Sequence, residues 1–97
     1  MQIDFIKPSQ VNEYLNQGAQ FIDLRDRQDY EQKHIKHALS IPFDQFEERY
    51  QSLPKNRTYV LYCERGGSST LAAKKMLSQG YRVLSLSGGI VAFFRKK

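Results

Sequence analysis

Apolar residues fall in short blocks along this chain, and the blocks alternate between a pattern typical of strands and one typical of helices. Three mostly apolar blocks predict buried strands at residues 20–24, Thr58–Tyr62 and Arg82–Leu86, and a short apolar patch at Phe5-Ile6 comes before them in the position of a first strand. Between these blocks, apolar residues recur three and four positions apart, as they do on one face of a helix. Four helices are predicted: one after Ser9 that ends at Gly18, one from Asp26 through Gln32, one over 43–53, and one from the serines at 68–69 to near Gly80. A last apolar segment, 90–94, is either a short helix or a strand-like cap.

The middle of the chain adds a short strand and an aromatic helix face. Residues 40–42 predict a brief strand at the edge of the sheet, because Pro42 cannot donate to a sheet ladder. Phe43, Phe46 and Tyr50 are spaced three and four apart, which places them on one face of the predicted helix. We therefore expect all three aromatic side chains to pack in the core.

The order of the predicted elements determines the fold class. Strands that alternate with helices predict a mostly parallel sheet of about five short strands with helices on both faces, in the α/β class. A chain of 97 residues suits one domain over 1–97, with one compact structure. Ligands of such sheets bind beyond the carboxyl ends of the strands, and Cys63 follows the strand Thr58–Tyr62 directly. The sequence therefore predicts a site at Cys63.

Composition and charge narrow the classes of partner. Hydrophobic residues make up 40% of the chain, which is enough for a core without metal or disulfide support. The formal charge of +5 favours anionic partners. The basic residues are scattered, however, and form a run only at Arg95, Lys96 and Lys97, which disfavours nucleic acid and is typical of a solvated terminus.

Other classes of protein are disfavoured by what the sequence lacks. No stretch is apolar and long enough to cross a bilayer, and the first residues do not resemble a secretory signal, so we expect a cytoplasmic protein with no membrane partner. A single cysteine cannot form an internal disulfide. With only His34 and His37 beside it, Cys63 makes a poor zinc set, so no metal is expected.

The segment after Cys63 has the composition of an anion-binding loop. Gly66 and Gly67 can adopt positive backbone angles and leave room for a ligand, so consecutive amides can point inward. Such amides and a helix N-terminus stabilise a thiolate, which is the nucleophilic form of cysteine. Arg65 adds a positive charge close to the sulfur. We interpret Cys63 as a nucleophile, with a small buried hydrophobic residue as the alternative.

Three further residues of the loop have two interpretations each. The hydroxyls of Ser68 and Ser69 can bind a substrate or simply cap the following helix. Glu64 would disfavour a neighbouring thiolate unless it pointed outward, so we expect it to face solvent. There it either helps to select a partner or is a solvated charge without a role.

Several motifs together resemble the rhodanese family of sulfurtransferases, in particular its small single-domain members, over nearly the whole chain. Cys63 to Ser69 resembles the family's catalytic loop. The other matching motifs are Asp23 to Arg25, Glu31, His34-Ile35, Ala38 to Pro42, and Gly88-Gly89. The chain departs from the family at Phe93, where tryptophan is more usual, and at Lys33, where glycine is common.

The resemblance implies a three-layer rhodanese-like fold and a sulfurtransferase that uses no organic or metal cofactor. Cys63 would accept a sulfane sulfur as a persulfide and transfer it to cyanide, a thiol or a protein. The amides from Glu64 to Ser68 would form the cradle, with Arg65 as the local charge. Donors would be small sulfur-bearing anions such as thiosulfate or polysulfide, or protein persulfides. A structural role is implied for four other residues, which are Asp23, Arg25, Glu31 and His34.

Two other functions are compatible with a fold of this kind. Phosphatases and arsenate reductases need a loop one residue longer with an arginine at its end to bind the phosphate oxygens, and Ser69 occupies that position here. A binding or sulfur-carrier module without enzymatic activity would most simply lack the cysteine, whereas Cys63 is present.

Overall fold

The computed structural model describes residues 2–95, which form five strands and five α-helices. Met1, Lys96 and Lys97 lie outside the described residues, and with them most of the basic run predicted at 95–97. The strands are β1 (Asp4–Ile6), β2 (Gln20–Asp23), β3 (Leu39–Ser40), β4 (Thr58–Tyr62) and β5 (Arg82–Leu86), and the helices are α1 (Val11–Asn16), α2 (Arg27–Gln32), α3 (Phe43–Arg49), α4 (Gly67–Ser78) and α5 (Gly89–Arg95).

The strands form one sheet in the order β1-β5-β4-β2-β3, and every neighbouring pair is parallel. This confirms the predicted α/β class and the five-stranded parallel sheet. Strand β4 is central, and Tyr62 at its end lies beside Asp23 of β2. The residues that follow β2 and β4 therefore meet at one edge of the sheet, and Cys63 is among them.

Side chains of β4 alternate between two hydrophobic clusters, one on each face of the sheet. Tyr59, Leu61 and Cys63 belong to the cluster that includes residues of α3 and α4. Val60 and Tyr62 belong to the cluster on the other face, which includes residues of α1 and α5. Because successive strand residues point to opposite faces, the position of Cys63 directly after Tyr62 places it on the α4 side.

The aromatic face predicted at 43–53 is only partly correct. Helix α3 ends at Arg49 and continues as a 3-10 turn, Tyr50–Ser52. Phe46 and Tyr50 are buried and stack with their ring centroids 4.9 Å apart. Phe43, in contrast, is 42% exposed, so the prediction of a core role for it is wrong. Phe43 is the first residue of its helix, and unlike Phe46 and Tyr50 it does not belong to the core cluster on this face of the sheet.

The short strand at the edge of the sheet and the last apolar segment of the chain lie close to their predicted positions. Strand β3 pairs only with β2, so it is an edge strand, although it begins one residue earlier than predicted and Pro42 lies beyond it. For the last apolar segment the sequence allowed either a helix or a strand-like cap, and the structure shows the helix α5.

Buried tyrosines make the stability of this fold sensitive to alkaline pH. Burial raises the pKa of Tyr62 well above its usual range, and its hydroxyl accepts a hydrogen bond from the Ile35 N–H at 3.1 Å. In the unfolded chain a tyrosine ionises near pH 10. The raised pKa therefore contributes stability that is complete below about pH 10 and is lost as the pH rises further, by about 1.4 kcal/mol per pH unit.

We predict that the free energy of unfolding, measured with urea at increasing pH, falls above about pH 10 and falls less steeply in Tyr62→Phe. The variant also starts about 1–3 kcal/mol lower, because the Ile35 N–H loses its acceptor. Tyr14→Phe, which removes the hydroxyl of a half-buried ring in α1, serves as the control for the loss of a tyrosine. Identical slopes in wild type and Tyr62→Phe would contradict the prediction.

Candidate active site at the end of the central strand

Cys63 lies at the carboxyl end of β4 with its sulfur held by backbone amides. The side chain is nearly buried, at 7% exposed. Its Sγ accepts hydrogen bonds from the Gly66 N–H at 3.1 Å and from the Ser69 N–H at 3.3 Å. Gly66 has a φ of 111°, which favours glycine, and it precedes the first residue of α4. The chain thus turns back so that amides of the loop and of the first helical turn point at the sulfur.

This arrangement is suited to a sulfur anion. The first N–H groups of a helix have no intrahelical acceptor, and the helix dipole favours negative charge at that end. Two amides of the predicted loop, those of Gly66 and Ser69, bond to Sγ. Within residues 2–95, the amides of Arg65, Gly67 and Ser68 have no hydrogen-bond acceptor. These three N–H groups remain without a protein acceptor in that part of the chain, as those at the start of a helix commonly do.

The two serines of the loop occupy different environments. Ser69 is completely buried, and its hydroxyl lies 3.2 Å from the Gly66 carbonyl and 2.8 Å from the Ser85 hydroxyl. It therefore fixes the loop to β5. Ser68 is half-buried and lines the cavity in front of Cys63. Of the two hydroxyls, that of Ser68 is the one placed to meet a ligand.

A cavity of about 420 Å³ opens in front of Cys63. Its wall combines one cation, Arg25, with carboxylates and the exposed ring of Phe43. The lining residues are Leu24, Arg25, Asp26, Asp29, Phe43, Asp44, Cys63, Glu64 and Ser68. Arg65, which the sequence placed close to the sulfur, is exposed and is not part of this wall. Glu64 is exposed, in agreement with the expectation that it faces solvent.

Arg25 is held in the cavity wall by a buried carboxylate. Its Nη2 lies 2.8 Å from Asp23 Oδ2 and its Nε lies 3.1 Å from Asp23 Oδ1, while Nη2 also donates to the Lys33 carbonyl at 2.6 Å. Burial lowers the pKa of Arg25, but the hydrogen bond and charge of Asp23 outweigh it, so the pKa is raised above its usual value. Asp23 therefore positions Arg25, and Arg25 also faces the cavity.

The other two residues with an implied structural role lie outside the cavity. His34 is exposed, its Nδ1 lies 2.7 Å from the Tyr30 carbonyl oxygen, and its ring stacks on that of Tyr30. Glu31 is exposed on helix α2, which ends just before His34. Neither side chain lines the cavity in front of Cys63.

Helix α5 supports the loop from behind. The Ile90 N–H donates to the Cys63 carbonyl at 2.9 Å, and the Val91 N–H donates to the Glu64 carbonyl at 3.2 Å. Gly89, with a φ of 68°, approaches the backbone of Glu64 so closely that a side chain would overlap it. The pair Gly88-Gly89 indicated a turn in the sequence, but the sequence did not show that this turn packs against the backbone of Glu64. Sequence reasoning also missed Phe43 and Arg25 as parts of the cavity wall, since no local pattern distinguishes them.

Two kinds of feature are absent from the described residues. Within residues 2–95, no group of three or more His, Cys, Asp or Glu side chains is arranged to hold a metal ion. The same part of the chain contains no helix that is both long and apolar enough to span a membrane.

Comparison with known proteins gives consistent results for family and fold. The family model for the rhodanese-like domain matches residues 7–96. A sulfurtransferase from Allochromatium vinosum is 39% identical over 75 residues, which cover 76% of this chain and 70% of that protein. A tRNA uridine(34) hydroxylase from Photorhabdus laumondii is 32% identical over 101 residues, which cover 96% of this chain. The match spans only 29% of the length of that hydroxylase.

A solved structure shows the same fold at low sequence identity. The rhodanese-related protein from Thermoplasma volcanium superposes with a TM-score of 0.90 at 19% identity, and the match covers 96% of this chain and 92% of that protein.

Proposed function

The chain belongs to the rhodanese-like domain family, and we propose that it is a sulfurtransferase in which Cys63 carries the transferred sulfur as a persulfide. One observation carries the proposal. The Cys63 sulfur accepts hydrogen bonds from the Gly66 and Ser69 amides and borders an open cavity, so it is both stabilised as an anion and accessible to a donor.

The reaction has two steps that leave the enzyme unchanged. In the first, the Cys63 thiolate attacks the outer sulfur of the donor and a new sulfur–sulfur bond forms. The bond between that sulfur and the rest of the donor breaks, and its electron pair leaves with the donor remnant as an anion. In the second, an acceptor thiolate or cyanide attacks the outer sulfur of the persulfide and Cys63 leaves as a thiolate. No external oxidant or reductant is needed.

The loop amides have a role in both steps. The Gly66 and Ser69 amides stabilise the thiolate before the first step and after the second. The amides of Arg65, Gly67 and Ser68, which lack an acceptor within residues 2–95, would bind the outer sulfur of the persulfide. Backbone donors are fixed by the fold, so they need no rearrangement when charge develops.

Sulfur transfer is favoured over phosphate chemistry by the end of the loop. A phosphoryl group needs a cation that can bind several of its oxygens. Ser69 stands at that position, it is completely buried, and its hydroxyl bonds to protein atoms. The Allochromatium relative, which this chain covers to 70% of its length, is named a sulfurtransferase. The hydroxylase relatives extend far beyond the match, so their activity supports no proposal for this chain.

Mass spectrometry of the intact protein tests the proposal. We predict that incubation with polysulfide adds one sulfur atom, which cyanide then removes as thiocyanate. Cys63→Ser and Cys63→Ala should gain none, and circular dichroism should show that both variants remain folded. Because Cys63 is the only cysteine, the added sulfur of a persulfide has one possible location. A wild-type protein that stays unmodified, or variants that gain the same mass, would refute the proposal.

A further inference from the structure

We propose that the sulfur donor for Cys63 is a protein that presents a cysteine persulfide on a basic surface, instead of a small anion such as thiosulfate. This inference rests on the proposed sulfurtransferase function and specifies its substrate class. It is carried by the charges around the cavity and by an apolar groove next to it.

The cavity in front of Cys63 is strongly acidic. Four carboxylates, those of Asp26, Asp29, Asp44 and Glu64, lie in its wall, and all four residues are exposed. The single cation of the wall, Arg25, forms an ion pair with the buried Asp23, which cancels its charge. An approaching ligand therefore meets about four uncompensated negative charges beside a sulfur that must itself be an anion to react.

None of the four carboxylates forms an ion pair in the part of the chain that the structure describes. Within residues 2–95 the ion pairs are Arg25 with Asp23 and Lys75 with Glu47, and neither includes a carboxylate of the cavity wall. Arg65 follows Glu64 in the loop but does not line the cavity. The side chains of the cavity wall therefore favour a cationic partner surface over an anionic one, while the amides at the sulfur serve the reacting sulfur itself.

This local charge is opposite to that of the chain as a whole. The net charge is +5, yet a group of basic residues, Lys55, Arg57 and Arg82, lines a different cavity at the amino ends of β4 and β5. In a parallel sheet that is the end away from Cys63. The acidic surroundings of Cys63 are thus a feature of the site and not of the average composition.

An apolar groove adjoins the acidic cavity and suits a macromolecule. Phe43 lines both the cavity and a neighbouring groove of about 320 Å³. The groove is also lined by Phe46, Leu71 and Ala72, and by the ion-paired Glu47 and Lys75 at its side. Phe43 is 42% and Leu71 is 60% exposed, and among residues 2–95 Phe5 is the other large exposed hydrophobic residue. A small anion would not contact this apolar surface. A protein could bury the surface and at the same time place a persulfide at Cys63.

The sulfur-transfer step with such a donor is balanced. The Cys63 thiolate attacks the outer sulfur of the donor's persulfide and forms a new sulfur–sulfur bond. The donor's own sulfur–sulfur bond breaks, and its cysteine leaves as a thiolate with the electron pair. Lysine and arginine side chains on the donor would pair with the carboxylates of the cavity wall and bring the two sulfurs together.

Two model donors test the inference. They are peptides with a cysteine persulfide and a flanking leucine, identical except that one carries lysines and the other glutamates. We predict that the lysine peptide loads Cys63 at least about tenfold faster at low salt, and that the difference shrinks as salt is added. Neutralising the wall by combining Asp26→Asn, Asp29→Asn, Asp44→Asn and Glu64→Gln should remove the preference. Rates are followed by mass spectrometry of the intact protein.

A matched control separates the site from the total charge. Combining Asp4→Asn, Glu13→Gln, Glu31→Gln and Glu48→Gln changes the net charge equally at exposed positions outside the cavity wall, and it should keep the preference. Equal rates for both peptides in the wild type, or loss of the preference in this control, would overturn the inference. A protein that loads from polysulfide but does not discriminate leaves the proposed function standing. A protein that no donor loads refutes the proposed function itself.

The groove is tested with Leu71→Ser, a change at an exposed position. Both peptides should load this variant about fivefold more slowly than wild type, because the leucine that they share loses its apolar contact, whereas loading by polysulfide should be unchanged. An unchanged rate with both peptides would overturn the assignment of the groove to the docking surface.

Discussion

Replacing Gly89 with alanine should abolish sulfur loading at Cys63 and destabilise the whole domain. Gly89 has a φ of 68°, which strains any residue with a side chain. The added Cβ would overlap the Glu64 carbonyl oxygen and would lie 2.6 Å from Glu64 C and 2.7 Å from Arg65 N. All of these are backbone atoms of the loop after Cys63, so no side chain can rotate away to relieve the overlap.

The loop would have to move, and its movement would break the bonds that hold it. The Ile90 and Val91 amides donate to the carbonyls of Cys63 and Glu64. Strained backbone costs about 1–2 kcal/mol and overpacking a further 1–3 kcal/mol, so we expect a loss of about 3 kcal/mol or more in the free energy of unfolding. Urea unfolding measures this loss, and mass spectrometry after incubation with polysulfide measures sulfur loading.

Gly18→Ala is the matched control for this prediction. Gly18 also has a positive φ, 87°, but a Cβ there would meet no atom within 4 Å. It should therefore cost only the strain of the backbone, about 1–2 kcal/mol, and leave sulfur loading intact. If the two variants lost equal stability and loaded equally well, the close approach of Gly89 to the loop would have no role in the site.

Replacing Asp23 with alanine should cost about 3–5 kcal/mol of stability. The substitution leaves the Arg25 guanidinium buried without its counter-ion, and it also removes the acceptor of the Arg25 N–H, which lies 2.9 Å from Asp23 Oδ1. Because Arg25 lines the cavity in front of Cys63, its release should also slow sulfur loading. Urea unfolding and the mass-spectrometric assay measure the two effects on the same protein.

An exposed ion pair, Lys75 with Glu47, provides the comparison. Lys75 and Glu47 lie 2.9 Å apart but are solvated, so Glu47→Ala should cost less than about 1 kcal/mol. Salt should reduce the contribution of this pair further, and should affect the buried pair much less. Equal losses for Asp23→Ala and Glu47→Ala would show that burial of the Asp23–Arg25 pair does not matter for stability.

The elements of this fold were largely predictable because each depends on a local pattern. The blocks at Thr58–Tyr62 and Arg82–Leu86 are strands at those bounds, and Gly18 and Gly80 follow the ends of helices as expected. The loop that follows Cys63 was equally predictable, since a cysteine after a strand and a glycine pair before a helix are neighbours in sequence. A local pattern also caused the wrong prediction at Phe43. Its spacing from Phe46 and Tyr50 is that of a core residue, yet its side chain is exposed.

The assembly of the site could not be predicted, because its parts come from segments far apart in the chain. The order of the strands places the end of β2 beside the end of β4, and only this brings Arg25, Asp26 and Asp29 to Cys63. The first turn of α3 adds Phe43 and Asp44 to the same cavity.

Side-chain periodicity and turn chemistry act over a few residues, so the elements, the fold class and the place of Cys63 at a strand end could be read from the sequence. The surroundings of Cys63 depend on the tertiary structure. Gly89 meets the loop, Asp23 holds Arg25, and carboxylates gather around a thiol in a basic chain. Charge and packing act through space, so they depend on which strand ends meet and not on which residues are adjacent along the chain.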